Sequence, residues 1–300
     1  MGGSFLDQQA RIGISVHLGG LPATRRLLAL CHLSEAREAL DVGCGIGVGP
    51  AWIARTHGCR VVGVDRSPRM IDWARRRMRD EGVEGRVSLL VADVLDLPFE
   101  DDRFDVVIAE SVLAFVVDKE RALAEMIRVT KPGGYVGLNE GFLLTGTPSP
   151  RVTGLARRIG SAMVTLGTWR ALWESSGLNE RVVRAYRLDP AREIRDRFRW
   201  VGFRRLLAGS MHAVRLHLTE PSARPVLDTM LVSLRTGPED ERHRRTPSPR
   251  IGRWPRRHAL PRQVRRSRRS KATIATTTRT TVVPASTLAC ARSSPFASGS

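Results

Sequence analysis

Cysteine is scarce and never paired along the chain. Its four copies, Cys31, Cys44, Cys59 and Cys290, form no Cys-x-x-Cys pair and no cluster with histidine at metal-ligand spacing. That excludes a disulfide framework and a zinc site, so no metal is expected, and it suits a reducing, cytoplasmic setting. Uninterrupted apolar runs are missing as well: the stretch Val106 to Val117 is broken by Glu110, and no membrane span is expected. The N-terminus, MGGSFLDQQARIG, has no basic patch followed by an apolar run and does not read as a secretory signal. No internal repeat is present. With 42% hydrophobic residues, 300 residues suffice for one substantial domain that needs no cross-links.

Acidic residues are almost missing from the last sixty positions. Residues 241–300 hold fourteen arginines and one lysine against one glutamate, so they carry +14 of the formal +19 and leave +5 for residues 1–240. The basic character belongs to the tail, and an ordinary charge remains for the rest. The tail is rich in Arg, Ser, Thr and Pro without apolar periodicity, which predicts disorder in isolation. It reads either as a basic arm for nucleic acid or an anionic surface, or as the product of a shifted reading frame.

Between Leu27 and Phe142 short apolar runs alternate with helical patterns, the signature of a mostly parallel sheet with helices on both faces. Strands are expected over Glu38–Val42, Arg60–Val64, Val87–Val91, Phe104–Ile108 and Tyr135–Glu140. Helices are expected over Gly49–Thr56, Pro68–Asp80 and Glu120–Val129, with Lys131-Pro132-Gly133-Gly134 turning the chain out of the last of them. Farther on, a helix over Thr168–Ser175 and a strand near Val182–Tyr186 are expected. The division that follows is an N-terminal flap (1–26), a core (27–142), a lid region (143–240) and the Arg-rich tail (241–300).

Three elements carry chemistry. Ala39-Leu-Asp-Val-Gly-Cys-Gly-Ile-Gly47 is a strand ending in a glycine loop, where the missing side chains permit a sharp turn and close approach of a ligand. The dinucleotide pattern Gly-x-Gly-x-x-Gly fails in it, because Val48 and Pro50 stand where its third glycine is required. Val61-Val-Gly-Val-Asp65 ends the next strand in a carboxylate able to accept both hydroxyls of a ribose. Leu90-Val-Ala-Asp93-Val94 ends the third strand in an acceptor and an apolar residue, a pair suited to the amine and flat face of adenine.

Residues about 17 to 142 resemble a class I S-adenosylmethionine-dependent methyltransferase domain, of the broad group that includes quinone- and sterol-methylating enzymes. The motifs that carry the resemblance are ALDVGCGIG (39–47), VVGVD (61–65), VADVLDLPFEDDRFDVV (91–107) and RVTKPGGYV (128–136). The resemblance implies a doubly wound, Rossmann-like sheet and S-adenosyl-L-methionine as cofactor. Asp41, Gly43, Cys44 and Gly45 are then expected at its methionine end, Asp65 at the ribose, and Asp93 with Val94 at the adenine. Arg66 and Met70 are expected to flank the adenosine, and Glu110 to face the methionine or the acceptor as the candidate catalytic residue.

Each also has a plain structural reading: the glycines a tight turn, Asp65 and Asp93 helix caps or loop acids, Glu110 a cap for the next helix, Met70 core, and His17 of His-Leu-Gly-Gly a surface residue rather than part of a flap. Because the sulfonium methyl is already activated, the protein needs alignment and exclusion of water rather than a nucleophile. A base is useful only for an acceptor that must lose a proton, and Glu110 and His212 are the candidates.

Ala109-Glu110-Ser111-Val112 stands where methyltransferases of nucleobase exocyclic amines or glutamine amides carry Asn/Asp-Pro-Pro-Tyr/Phe, which favours a small-molecule acceptor. The alternatives are a nucleic-acid-binding protein driven by its tail and, with less support, an NAD(P)-dependent oxidoreductase. Trp169, Trp173, Trp200 and Phe203 either line an apolar pocket or pack in the core. One part of the expected sheet is not found: a class I sheet ends in an antiparallel hairpin, Val182–Tyr186 supplies one arm, and no second arm is evident.

Overall fold

A computed structural model describes residues 5–13, 17–143, 148 and 150–187, scattered positions between 207 and 219, and 285–292. Its centre is a sheet of strand order β3-β2-β1-β4-β5-β7-β6. The strands are β1 (Glu38–Val42), β2 (Arg60–Asp65), β3 (Val87–Val91), β4 (Phe104–Glu110), β5 (Thr130–Phe142), β6 (Asn179–Arg187) and β7 (Ala285–Arg292). The first five pair in parallel, and β7 runs antiparallel to both of its neighbours. Helices are α1 (Phe5–Ile12), α2 (Gly20–Leu30), α3 (Val48–His57), α4 (Pro68–Glu81), α5 (Lys119–Arg128), α6 (Pro150–Ile159) and α7 (Leu166–Ser175).

Strand periodicity sends neighbouring residues to opposite faces, and both faces of the central strands are covered while the edge strand β3 is largely exposed. Leu40, Val62, Val107 and Val136 pack with Ala122, Leu123 and Met126 of α5 and with Trp169 and Trp173 of α7. Ala39, Val61, Val106 and Ile108 pack with Leu27 and Leu28 of α2, Ile53 of α3 and Met78 of α4. The two tryptophans are therefore core residues. Helix ends follow local chemistry: the Ser67 and Asp118 side chains accept from Met70 N–H and Arg121 N–H to start α4 and α5. No described helix is long and apolar enough to cross a membrane.

The differences from expectation lie at strand ends and at the C-terminus. β4 extends two residues farther and takes in Glu110, while β5 starts at Thr130, so the Lys131–Gly134 turn is part of an extended strand with a register shift opposite Phe104 and Val106. The missing arm of the final hairpin is β7. Eight residues of the tail, Ala285–Arg292, pair along β5 from Tyr135 to Phe142 and along β6 from Asn179 to Arg187. The rest of 241–300 lies outside the described residues, as do Trp200, Phe203 and His212.

Candidate active site

Parallel strands present their C-terminal ends to one edge of the sheet, and in such sheets ligands bind there. At that edge β1 runs into the glycine loop. Gly43, Gly45 and Gly47 all have positive φ, at 69°, 53° and 77°, which L side chains avoid. A Cβ on Gly43 would also run into Val112 Cγ2, and one on Gly47 would lie 2.8 Å from Ala74 Cβ. Gly43→Ala is therefore expected to lower stability by about 2–5 kcal/mol, from the left-handed backbone and the overpacking together. Thermal unfolding of that variant, with a wild-type midpoint as the contrary result, checks it.

Asp65 is the organiser of this loop. Its Oδ2 accepts from Gly45 N–H at 3.0 Å and its Oδ1 from Ser67 N–H at 2.9 Å, which ties the glycine loop to the end of β2. Burial nonetheless raises its pKa above the usual carboxylate value, against those two hydrogen bonds. Cys44 is buried between the strands, its N–H donating to Val64 O at 2.9 Å and its thiol pushed up by burial.

Asp41 is buried at the end of β1, with Oδ2 2.5 Å from where a Cβ on Gly49 would sit. Burial first, then the charges of Glu110 and Asp65, raise its pKa well above the ordinary range. Among the described residues it has no hydrogen-bond donor and no cation. Three carboxylates thus converge on the glycine loop without a neutralising partner for Asp41.

Glu110 ends β4 on the same face of the sheet, and its surroundings were only partly legible in the sequence. Oε2 accepts from Asn139 Nδ2 at 3.0 Å and Thr24 Oγ1 at 3.3 Å, and lies 3.3 Å from His17 Nδ1. His17 Nε2 lies 3.1 Å from Thr24 Oγ1. Leu18 N–H donates to Ser111 Oγ at 3.0 Å, and Asn139 Nδ2 donates to Leu18 O at 2.7 Å. His17 is therefore half-enclosed and clasped to the sheet rather than a surface residue. Glu110, Asn139 and the N-terminal segment form one polar network around the loop after β4.

The residues expected on the adenosine side are more loosely gathered. Asp93 is exposed beyond β3 and its Oδ1 accepts from Leu95 N–H at 3.0 Å, so part of its carboxylate serves its own turn. Val94 is buried, and Arg66 is exposed after β2. Met70 is buried against Ile46 of the glycine loop and Ala10 of α1.

Sequence reasoning missed Glu140. Fully buried near the end of β5, it accepts from Val112, Leu113 and Ala114 N–H at 2.9, 2.9 and 3.1 Å. The signal was the polar pair Asn139-Glu140 following the apolar stretch Tyr135–Leu138 of the strand.

Comparison with known proteins bears on the family and the fold. A family profile described as a methyltransferase domain matches residues 40–138. A methyltransferase of Streptomyces halstedii is 36% identical over 149 residues, 50% of this chain and 52% of its own length. A Haemophilus influenzae protein of uncharacterised function is 31% identical over 183 residues, 59% of this chain and 71% of its own length. The chain thus spans about half the length of the first relative and more than two thirds of the second.

Among solved structures, a Haemonchus contortus phosphoethanolamine N-methyltransferase in complex with phosphomonomethylethanolamine and S-adenosylhomocysteine superposes with TM-score 0.62 at 16% identity, over 97% of this chain and 57% of that one. The [4+2]-cyclase SpnF does so with TM-score 0.61 at 16% identity, over 97% and 93%. At that identity the likeness is one of fold.

Proposed function

We infer that this chain, which belongs to the class I S-adenosylmethionine-dependent methyltransferases, carries a methyl group from S-adenosyl-L-methionine to a small-molecule acceptor. The observation that supports it most is the cluster of carboxylates at the glycine loop, with Asp41 buried among them. Asp41 is desolvated, repelled by two neighbouring carboxylates and without a cation among the described residues, and a ligand bearing an ammonium and a sulfonium supplies what it lacks. The residues fit the cofactor. Asp41, Gly43, Cys44 and Gly45 would hold its methionine end, Asp65 its ribose, and Asp93 with Val94 its adenine, with Arg66 and Met70 flanking the adenosine.

When bound, S-adenosylmethionine supplies an electrophilic methyl group. The protein's own part is to orient and to exclude water. The N-terminal segment, clasped through His17 and Leu18, covers the edge of the sheet at β4 and β5. Glu110, already accepting from Thr24 and Asn139, contributes a fixed negative field at that edge more than proton removal. Asn/Asp-Pro-Pro-Tyr/Phe is not present after β4, and the phosphoethanolamine and norajmaline N-methyltransferases among the relatives support a small-molecule acceptor. Cys31, Cys44 and Cys59 are buried free thiols, which fits a cytoplasmic enzyme.

Calorimetric titration with S-adenosylmethionine, beside a nicotinamide dinucleotide, tests the reading. Binding of the first in the micromolar range without the second is expected, followed by transfer of isotopically labelled methyl to a panel of small amines, alcohols and carboxylates. Affinity carries a pH signature. Asp41 keeps its proton to higher pH than an ordinary carboxylate, and a cationic ligand favours the ionised form, so protonation competes with binding. Affinity should rise with pH from the ordinary carboxylate range upward until Asp41 is ionised in the free protein. Pure nicotinamide binding, or S-adenosylmethionine affinity that falls over that range, overturns the reading.

A further inference from the structure

We propose that Glu140 is the positioning residue of this site: from the opposite face of the sheet it holds the loop 111–114, the hub on which the cofactor loop and the segments around the acceptor converge. This rests on the methyltransferase reading above. The geometry is specific. Glu140 belongs to the sheet face that packs on α5, because Val136 and Leu138, four and two residues before it, lie in that core. It is thus turned away from Glu110 and Asn139, and its carboxylate takes three consecutive N–H groups, Oε1 from Val112 and Leu113 and Oε2 from Ala114.

Those amides start the short 3-10 turn Leu113–Phe115, where backbone donors have no partner of their own. The residue before them, Ser111, sits at φ 59°, a conformation that persists only when its surroundings fix it.

Three site segments meet this loop. The Val112 side chain fills the space against Gly43, so the glycine loop closes onto it. Ser111 Oγ accepts from Leu18 N–H, which brings in the N-terminal segment. Ala114 O accepts from Ala162 N–H at 2.6 Å and from Ser161 Oγ at 3.3 Å, which brings in the chain after α6. None of these contacts is made by Glu140 itself. It acts through the backbone it anchors, and loss of the anchor should loosen all three together.

The anchor also has a titration. Burial raises the Glu140 pKa to about 7, with the three N–H groups and the Lys119 ammonium of α5 pulling the other way. Lys119 Nζ donates to Val116 O at 2.6 Å, so the same loop is tied on both sides of the carboxylate.

Glutamine at this position keeps one acceptor oxygen, enough for Val112 and Leu113, and turns a donor toward Ala114 N–H. Alanine removes all three bonds. The test uses the full chain with 15N-labelled valine, leucine and alanine, and S-adenosylhomocysteine as the binding probe. In the wild type the amide resonances of Val112, Leu113 and Ala114 should titrate together with a midpoint near 7, a step missing from Glu140→Gln.

Affinity for S-adenosylhomocysteine should fall about tenfold in Glu140→Gln at an unchanged fold, and more in Glu140→Ala, the scale set by losing one or several charge-assisted hydrogen bonds. Amides that do not titrate, or a Glu140→Gln protein that binds the probe as the wild type does, overturn the proposal. A wild type that fails to bind the probe sinks the methyltransferase reading instead, and the two failures are told apart by the wild-type titration alone.

Discussion

Asp65→Ala should weaken S-adenosylmethionine binding by about 100- to 1000-fold, the equivalent of roughly 3–4 kcal/mol for two charge-assisted hydrogen bonds lost from a ribose. The loss has two sources, and the structure lets them be separated. One is direct: in the proposed assignment the carboxylate at the end of β2 accepts both ribose hydroxyls. The other is indirect, because Asp65 also accepts from Gly45 and Ser67 N–H, and without it the glycine loop is untied from β2.

Asp65→Asn keeps one oxygen for the loop but halves the acceptors available to a ligand, so its affinity should fall between wild type and Asp65→Ala. Stability should respond much less than affinity. Burial already raises the pKa of this carboxylate, so its removal relieves a desolvation penalty while it forfeits two hydrogen bonds. Calorimetry and thermal unfolding on the same samples decide the matter. Wild-type affinity in Asp65→Ala removes the ribose assignment, and a large drop in Tm alongside the lost affinity reduces Asp65 to a scaffold of the loop.

The first half of the sheet was legible because its determinants are local. β1 and β3 fall on their expected residues, since short aliphatic runs bounded by turn formers favour a strand, whether buried along its length as in β1 or fully buried only at Val87 as in the edge strand β3. The glycine loop was legible for the same reason: three glycines at alternate positions after a strand mark backbone that side chains exclude. Strand ends were less so. Hydrogen bonding to a neighbour, here β4 with β5, extends a strand through Lys131–Gly134, where local chemistry favours a turn.

The polar network was harder still. Glu110 was visible as an acid after an apolar strand, but its partners His17, Thr24 and Asn139 lie 93, 86 and 29 residues away and no spacing connects them. Glu140 was hidden by the habit of reading a buried strand as apolar. Its role depends on amides of a loop that only the fold brings near.

β7 was hidden for a different reason, and it carries the largest expected effect on stability. Ala285–Arg292 sits in a segment whose composition announces a solvated tail, and eight residues without a long apolar run carry little signal of their own. Position supplies what composition does not: β5 and β6 each present an edge, and β7 closes the gap with eight residue pairs on one side and seven on the other. At about 0.5–1.5 kcal/mol net per backbone hydrogen bond, a two-sided ladder of that length rivals the typical domain stability of about 5–15 kcal/mol.

A chain ending at Pro284 should therefore lose cooperative unfolding or fail to accumulate as soluble protein, whereas one ending at Arg292 should unfold like the full chain. Circular dichroism melting of the two truncations reads this directly. An escape exists in the topology, because β6 runs parallel to β5 and could move across to pair with it once β7 is gone. If the Pro284 chain melts cooperatively within a few degrees of the Arg292 chain, that rearrangement has happened and β7 is dispensable.

The same geometry changes how the tail's charge must be tested. Removing all of 241–300 takes a central strand with it, so lost ligand binding after such a deletion says nothing of nucleic acid. Arginine-to-glutamine substitutions between Arg242 and Arg279 remove the charge and leave Ala285–Arg292 in place.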